Sequence, residues 1–198
     1  MAEQRVGSAP NIRWRDSLEA ARAEARGQEK LVLIYLWHHN CGGSATMGER
    51  VYPEPEVESY IEDHFAPVRF NTIEEPEMEA ALGSGWTPTI ITEDPDGNER
   101  RRSQGYLDAK RLIGQLALSR LQAAMNSRDF ESASGLCEEA LRLTQGDPHR
   151  EPEAMYWSAV IAYKLAGGDR ERLIEGWTSL LNRFPESEWA MRASYIRT

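Results

Sequence analysis

Cysteine is scarce in this chain: two residues, Cys41 and Cys137, among 198. They lie far apart in segments of different character, which argues against the disulfide framework of a small secreted protein. A reduced, cytoplasmic protein is expected instead. Long apolar runs are missing too, since none approaches the roughly 18 residues that suggest a membrane span. Residues 1–11 have no apolar centre and no cleavage-like site, so they do not read as a signal peptide and are expected to form a loose arm. There is no basic excess, because the net charge is −9. Through Asp108, 11 Lys and Arg stand against 20 Asp and Glu, whereas from Ala109 onward the counts are 12 and 12. The acidic first part would repel nucleic acid, and no basic stripe elsewhere compensates. That acidity favours cationic or neutral partners, or serves only solubility.

What is present is organised around the stretch from Leu31 to Met47. Leu31 to Leu36 is apolar or aromatic throughout, with β-branching at Val32 and Ile34, so it reads as a strand buried on both faces. The run stops at Trp37. A polar loop then leads to Cys41-Gly42-Gly43-Ser44, which opens a helical pattern. A cysteine at the first turn of a helix sits where free N–H groups stabilise a thiolate.

The flanking segments alternate between helix and strand. Trp14, Leu18, Ala21 and Ala25 recur at helical spacing, with Asp16 or Ser17 as N-cap and Gly27 as terminator. Pro53 and Pro55 keep the helix after Cys41 short, and Pro55 starts another whose apolar side is Val57, Tyr60, Ile61 and Phe65. A strand follows over Ala66 to Asn71, then an acidic turn and short helix over Glu74 to Leu82. Thr89 to Thr92 is a strand, Asp94 to Asn98 a turn, and Glu99 to Gln104 a charged edge strand blunted by Arg100, Arg101 and Arg102. From Asp108 the pattern is helical only. One helix ends near Asn126, a second runs from Asp129 to Leu143, and Pro152 to Leu165 and Leu173 to Phe184 form a pair. Pro185-Glu186-Ser187 starts a last short helix.

The strand–loop–Cys–helix segment resembles the active-site region of the thioredoxin superfamily, where a Trp-Cys-x-x-Cys motif stands in the same place. Gly85-Trp86-Thr87-Pro88-Thr89 is similar to the family's cis-proline turn, and Gly105-Tyr106 to its late glycine. The resemblance implies an α/β thioredoxin-like domain, a central mixed sheet flanked by helices, over residues 12–118. The all-α region over 119–198 resembles tetratricopeptide repeats, through Tyr156, Ala159, Val160 and Tyr163 and through Leu173, Trp177, Leu180 and Pro185. Two repeats are fewer than usually stand alone.

On that resemblance Cys41 is the nucleophile, and the family's second cysteine is replaced by Ser44. Internal resolution of a mixed disulfide is therefore impossible. Tyr35 stands where the family often carries a buried Asp, and Asn40 where it carries the tryptophan before the nucleophile. Trp37, Asn40, Gly42, Gly43, Thr87 and Pro88 are the implied substrate-binding residues. His38 and His39 are candidates for tuning the thiolate, or are simply solvated. A metal would need three or four ligands, and His64 and His149 show no ligand spacing, so neither metal nor other cofactor is expected. Cys137 reads as core.

Three functions follow. One is a monothiol disulfide-exchange protein acting on protein or glutathione disulfides. Another is a redox-inactive adaptor that binds a protein partner through its helical repeats. The third is a peroxide sensor forming sulfenic acid at Cys41.

Overall fold

The structure, a computed structural model, describes residues 12–197, so the expected arm over 1–11 lies outside the described residues. The chain divides into two compact units, one ending at Ala109 and the other beginning at Lys110.

In the first unit a four-stranded sheet has the order β2-β1-β3-β4. Its strands are β1 (Leu31–Trp37), β2 (Phe65–Asn71), β3 (Thr89–Glu93) and β4 (Glu99–Gln104). β1 pairs parallel with β2 and antiparallel with β3, which pairs antiparallel with β4, so the sheet is mixed. The five inner residues of β1 are all buried, as an apolar run paired on both sides requires. Val32, Ile34 and Leu36 face helix α1 (Leu18–Gln28) in a core with Leu18, Ala21, Ala25, Val68 and Phe70. β4, half exposed along its length, holds its arginines on acids: Arg100 pairs with Asp94 and Arg102 with Glu99.

Two expectations about α1 need correction. Trp14 does not begin the helix. The chain before it is extended, because the Arg15 N–H donates to the Pro67 carbonyl at 2.8 Å and Arg15 bridges to Val68 at the edge of β2. Ser17 is the N-cap, its side chain accepting from the Ala20 N–H. Nor does Gly27 end the helix. Glu29 takes the left-handed position, with φ 55°, and the Lys30 N–H closes the turn on the Ala25 carbonyl. Helical spacing runs through Trp14 because its half-buried ring is packed by other means.

Helix α2 (Gly42–Thr46) follows Cys41 and passes into a π-helical turn over Met47–Val51, which buries Met47 and Val51. Then come α3 (Pro55–His64) and α4 (Pro76–Ala81). β2 begins at Phe65, one residue earlier than its sequence suggests, because Phe65 pairs with Leu31.

The second unit consists of α5 (Ala109–Asn126), α6 (Phe130–Thr144), α7 (Arg150–Leu165), α8 (Arg170–Arg183) and α9 (Glu188–Ala193), then a 3₁₀ turn over Ser194–Arg197. Asp147 starts α7 earlier than Pro152, since its carboxylate accepts from the N–H groups of His149 and Arg150. Asp169 caps α8, which therefore starts at Arg170 and not at Leu173. Met155, Ala159, Trp177, Leu180 and Leu181 form the core between α7 and α8, with Ala190 and Ala193 of α9. The rings of Tyr156 and Trp177 stack at 4.8 Å.

The crossing of α7 and α8 depends on Gly176. A Cβ there would lie 2.5 Å from the Ala159 Cβ and 3.2 Å from its Cα, so the backbones themselves would have to part. Gly176→Ala is expected to cost about 1–3 kcal/mol despite the better helix propensity of alanine. Urea unfolding measures this, and an unchanged midpoint would show that the crossing is looser than described. Among the described residues no helix is long and apolar enough to cross a membrane.

Candidate active site

Cys41 stands at the end of the loop that leaves β1, as the N-cap of α2 in extended conformation. Its N–H donates to the His38 carbonyl at 3.1 Å, which sets the loop's return. The thiol Sγ lies 3.2 Å from the Thr87 carbonyl oxygen. The Thr87–Pro88 peptide bond is cis, and Pro88 is buried. Its carbonyl accepts from the Gly105 N–H at 2.8 Å, while the Ser84 and Thr89 hydroxyls both donate to the Trp86 carbonyl, at 3.1 and 2.6 Å. The turn facing the thiol is thus held from both sides.

Gly43 lets the two segments meet. A Cβ on it would stand 2.9 Å from Pro88 Cδ and 3.7 Å from the Tyr106 Cβ. Gly42 is exposed with open space around it, so packing makes no comparable demand there.

Burial pushes the Cys41 thiol up. Hydrogen bonds from the side chains of Ser44 and Thr87 and from the N–H groups of Ser44 and Gly43 outweigh it, and the thiol lies below its ordinary value. Ser44 is buried, and its hydroxyl has no other partner than the sulfur. In the neutral thiol the S–H group is directed at the Thr87 carbonyl, which can accept a proton but cannot stabilise an anion. On ionisation the sulfur becomes an acceptor for the Ser44 hydroxyl.

Beneath this, Tyr35 donates from its hydroxyl to the Ser44 carbonyl at 3.3 Å and is pushed up to about 12, chiefly by burial. It packs with Tyr52 at 4.9 Å and with Trp14 at 6.0 Å, which leaves Trp14 half-buried outside α1. The floor of the site is aromatic and neutral. A proton acceptor there would need a carboxylate, and neither ring replaces one.

The described residues match the thioredoxin-like domain family over 18–119. The chain belongs to that family. A solved thioredoxin from Thermus thermophilus is similar at 21% identity, over 58% of this chain and 92% of that one, with a TM-score of 0.52. Two others are the oxidised C-terminal domain of Neisseria meningitidis DsbD (17% identity, 50% and 90% covered, TM-score 0.44) and a DsbH oxidoreductase (14% identity, 64% and 92% covered, TM-score 0.46). No curated protein matches the chain.

Within the thioredoxin-like unit a groove of about 440 Å³ opens beside the thiol, lined by His38, Cys41, Thr72, Ile73, Glu79, Gly85, Trp86 and Thr87. His38 lines it, with its Nδ1 buried and unpartnered, whereas His39 and Asn40 are exposed and outside the lining. Trp37 is outside it as well. Its ring lies under the Arg69 guanidinium, 5.6 Å from the centroid, and Arg69 also covers Trp14 at 5.5 Å. Trp86, 63% exposed, Ile73 and Glu79 line the groove without having been singled out from sequence. An exposed tryptophan before the cis bond was the available signal for Trp86. Nothing in the sequence marked Ile73 or Glu79. Among the described residues no group of three or more His, Cys, Asp and Glu could hold a metal ion.

Proposed function

We propose that the protein is a monothiol disulfide-exchange protein of the thioredoxin-like class, with Cys41 as its nucleophile. The observation that carries this reading is the half-buried sulfur, held below the ordinary thiol range, in an open groove 3.2 Å from the Thr87 carbonyl. The Cys41 thiolate attacks one sulfur of a substrate disulfide. An S–S bond forms to Cys41, the substrate S–S bond breaks, and the departing sulfur leaves as a thiolate that takes up a proton. Ser44 offers no second sulfur. An external thiolate therefore attacks the substrate sulfur of the mixed disulfide. An S–S bond forms between those two sulfurs, the bond to Cys41 breaks, and Cys41 leaves as thiolate. A second external thiol completes reduction of the substrate by displacing the first as a disulfide. Thr87 and Pro88 position the substrate chain, with the apolar faces of Trp86 and Ile73 beside it.

A second reading keeps the fold and drops the chemistry: an adaptor binding a protein through the helical unit, whose pairs resemble tetratricopeptide repeats. It is supported by a groove of about 410 Å³ on that unit, lined by Leu141, Met155, Ala159 and Gly176 among others.

Limited alkylation with iodoacetamide separates the two. Cys137 is buried and pushed up to about 12 by desolvation, so almost none of it is thiolate near neutrality. Cys41 ionises at lower pH than an ordinary thiol, so its labelling rises with pH through a point below that of a free cysteine. At pH 7 Cys41 is expected to label at least about 10²-fold faster, as read by peptide mass spectrometry. Equal labelling of the two, or labelling at Cys137 alone, favours the adaptor.

A further inference from the structure

The groove beside Cys41 is charged on one side only. Glu79 is its one acidic lining residue, and no Lys or Arg lines it. Glu79 lies on α4, whose Met78 and the following Leu82 pack partly against the α1 face of the core and so fix the helix that presents it. Among the described residues the Glu79 carboxylate takes part in no salt bridge. Arg102, which reaches the end of this helix, is engaged elsewhere: it donates to the Leu82 carbonyl at 2.8 Å and pairs with Glu99 at 2.6 Å. The charge in the groove is therefore uncompensated.

We propose that Glu79 is a specificity-determining residue that selects disulfides carrying a positive group beside the scissile bond. This rests on the disulfide-exchange reading and narrows its substrate class. A cationic side chain next to the attacked sulfur is attracted into a groove with low-dielectric walls, and an anionic one is repelled. The apolar neighbours Trp86 and Ile73 suit the rest of a polypeptide. The substrate is then a protein disulfide flanked by a basic residue. Oxidised glutathione, with its excess of carboxylates, is disfavoured, although its sulfur chemistry is the same.

Three small disulfides test this: cystamine as the cation, hydroxyethyl disulfide as the neutral reference and dithiodiglycolate as the anion. The rate of mixed-disulfide formation at Cys41 is followed by mass spectrometry at low ionic strength, in the protein and in Glu79→Gln. Comparing the cation-to-anion rate ratio between the two proteins cancels the intrinsic reactivity of each reagent. The ratio is expected to fall about fivefold in Glu79→Gln, while the neutral rate stays within about twofold. Added salt should reproduce that fall in the unaltered protein. An unchanged ratio overturns the role of Glu79 and leaves disulfide exchange intact. Failure of Cys41 to react even with the neutral disulfide overturns the exchange reading, and the inference with it.

Discussion

Cys41→Ser is expected to abolish exchange. The rate of mixed-disulfide formation should drop at least about 10³-fold, to the background of the external thiol, because a hydroxyl at neutral pH neither ionises nor forms an S–S bond. The loss should be complete for every disulfide tried. Cys137 cannot substitute, being buried and pushed up to about 12. Stability should barely change, since Cys41 is only half-buried and its one strong geometric partner is a backbone carbonyl that serine also reaches. Residual exchange above background, with the fold intact by circular dichroism, would mean that the chemistry resides elsewhere.

The reverse experiment adds what the site lacks. Ser44 is buried at the third position after Cys41, and its hydroxyl has no other partner than the Cys41 sulfur. A sulfur placed there would give up only the hydrogen bond that the hydroxyl offers the ionised Cys41, and would sit one turn along the helix that Cys41 opens. Ser44→Cys is expected to oxidise to an internal disulfide and to reduce insulin at least about tenfold faster than the unaltered protein. The second thiol competes with external thiol at a high effective concentration. The floor tempers the gain, because Tyr35 and Tyr52 supply no proton acceptor for the new thiol. If Ser44→Cys never forms the bond, residues 41–44 are not arranged as a thioredoxin-like active site.

Much of the thioredoxin-like unit was legible in the sequence, and the reasons differ from element to element. β1 was readable because a strand buried on both faces needs an unbroken apolar run, and Leu31 to Leu36 is one. β4 was readable from its charge. Ser17 was readable as a candidate N-cap of α1, but Trp14 was not readable as lying outside the helix, because it has helical spacing to Leu18 yet is half-buried against Tyr35 and Tyr52 before α1 begins. Its end was misplaced because glycine is only the commonest residue for a left-handed cap, and Glu29 occupies that position here. The thiol and the turn facing it were adjacent in expectation and are adjacent in the fold. The groove wall was invisible, since Ile73 and Glu79 reach it from the segment after β2, and no local pattern shows which residues converge from distant parts of a chain.

The placement of β1 has one more consequence. Like β3 it has a neighbouring strand on each side, and its inner residues are closed to solvent on both faces. Local opening begins where contacts are few, at frayed helix ends and exposed edges, and reaches such a strand last. The sulfur is tethered four residues beyond Trp37, the final residue of this strand. A fluctuation that releases α4 or frays β4 therefore leaves the anchor of the thiol in place. The reactive geometry at Cys41 is then lost only in the rare global excursions of the unit and not in its frequent small ones.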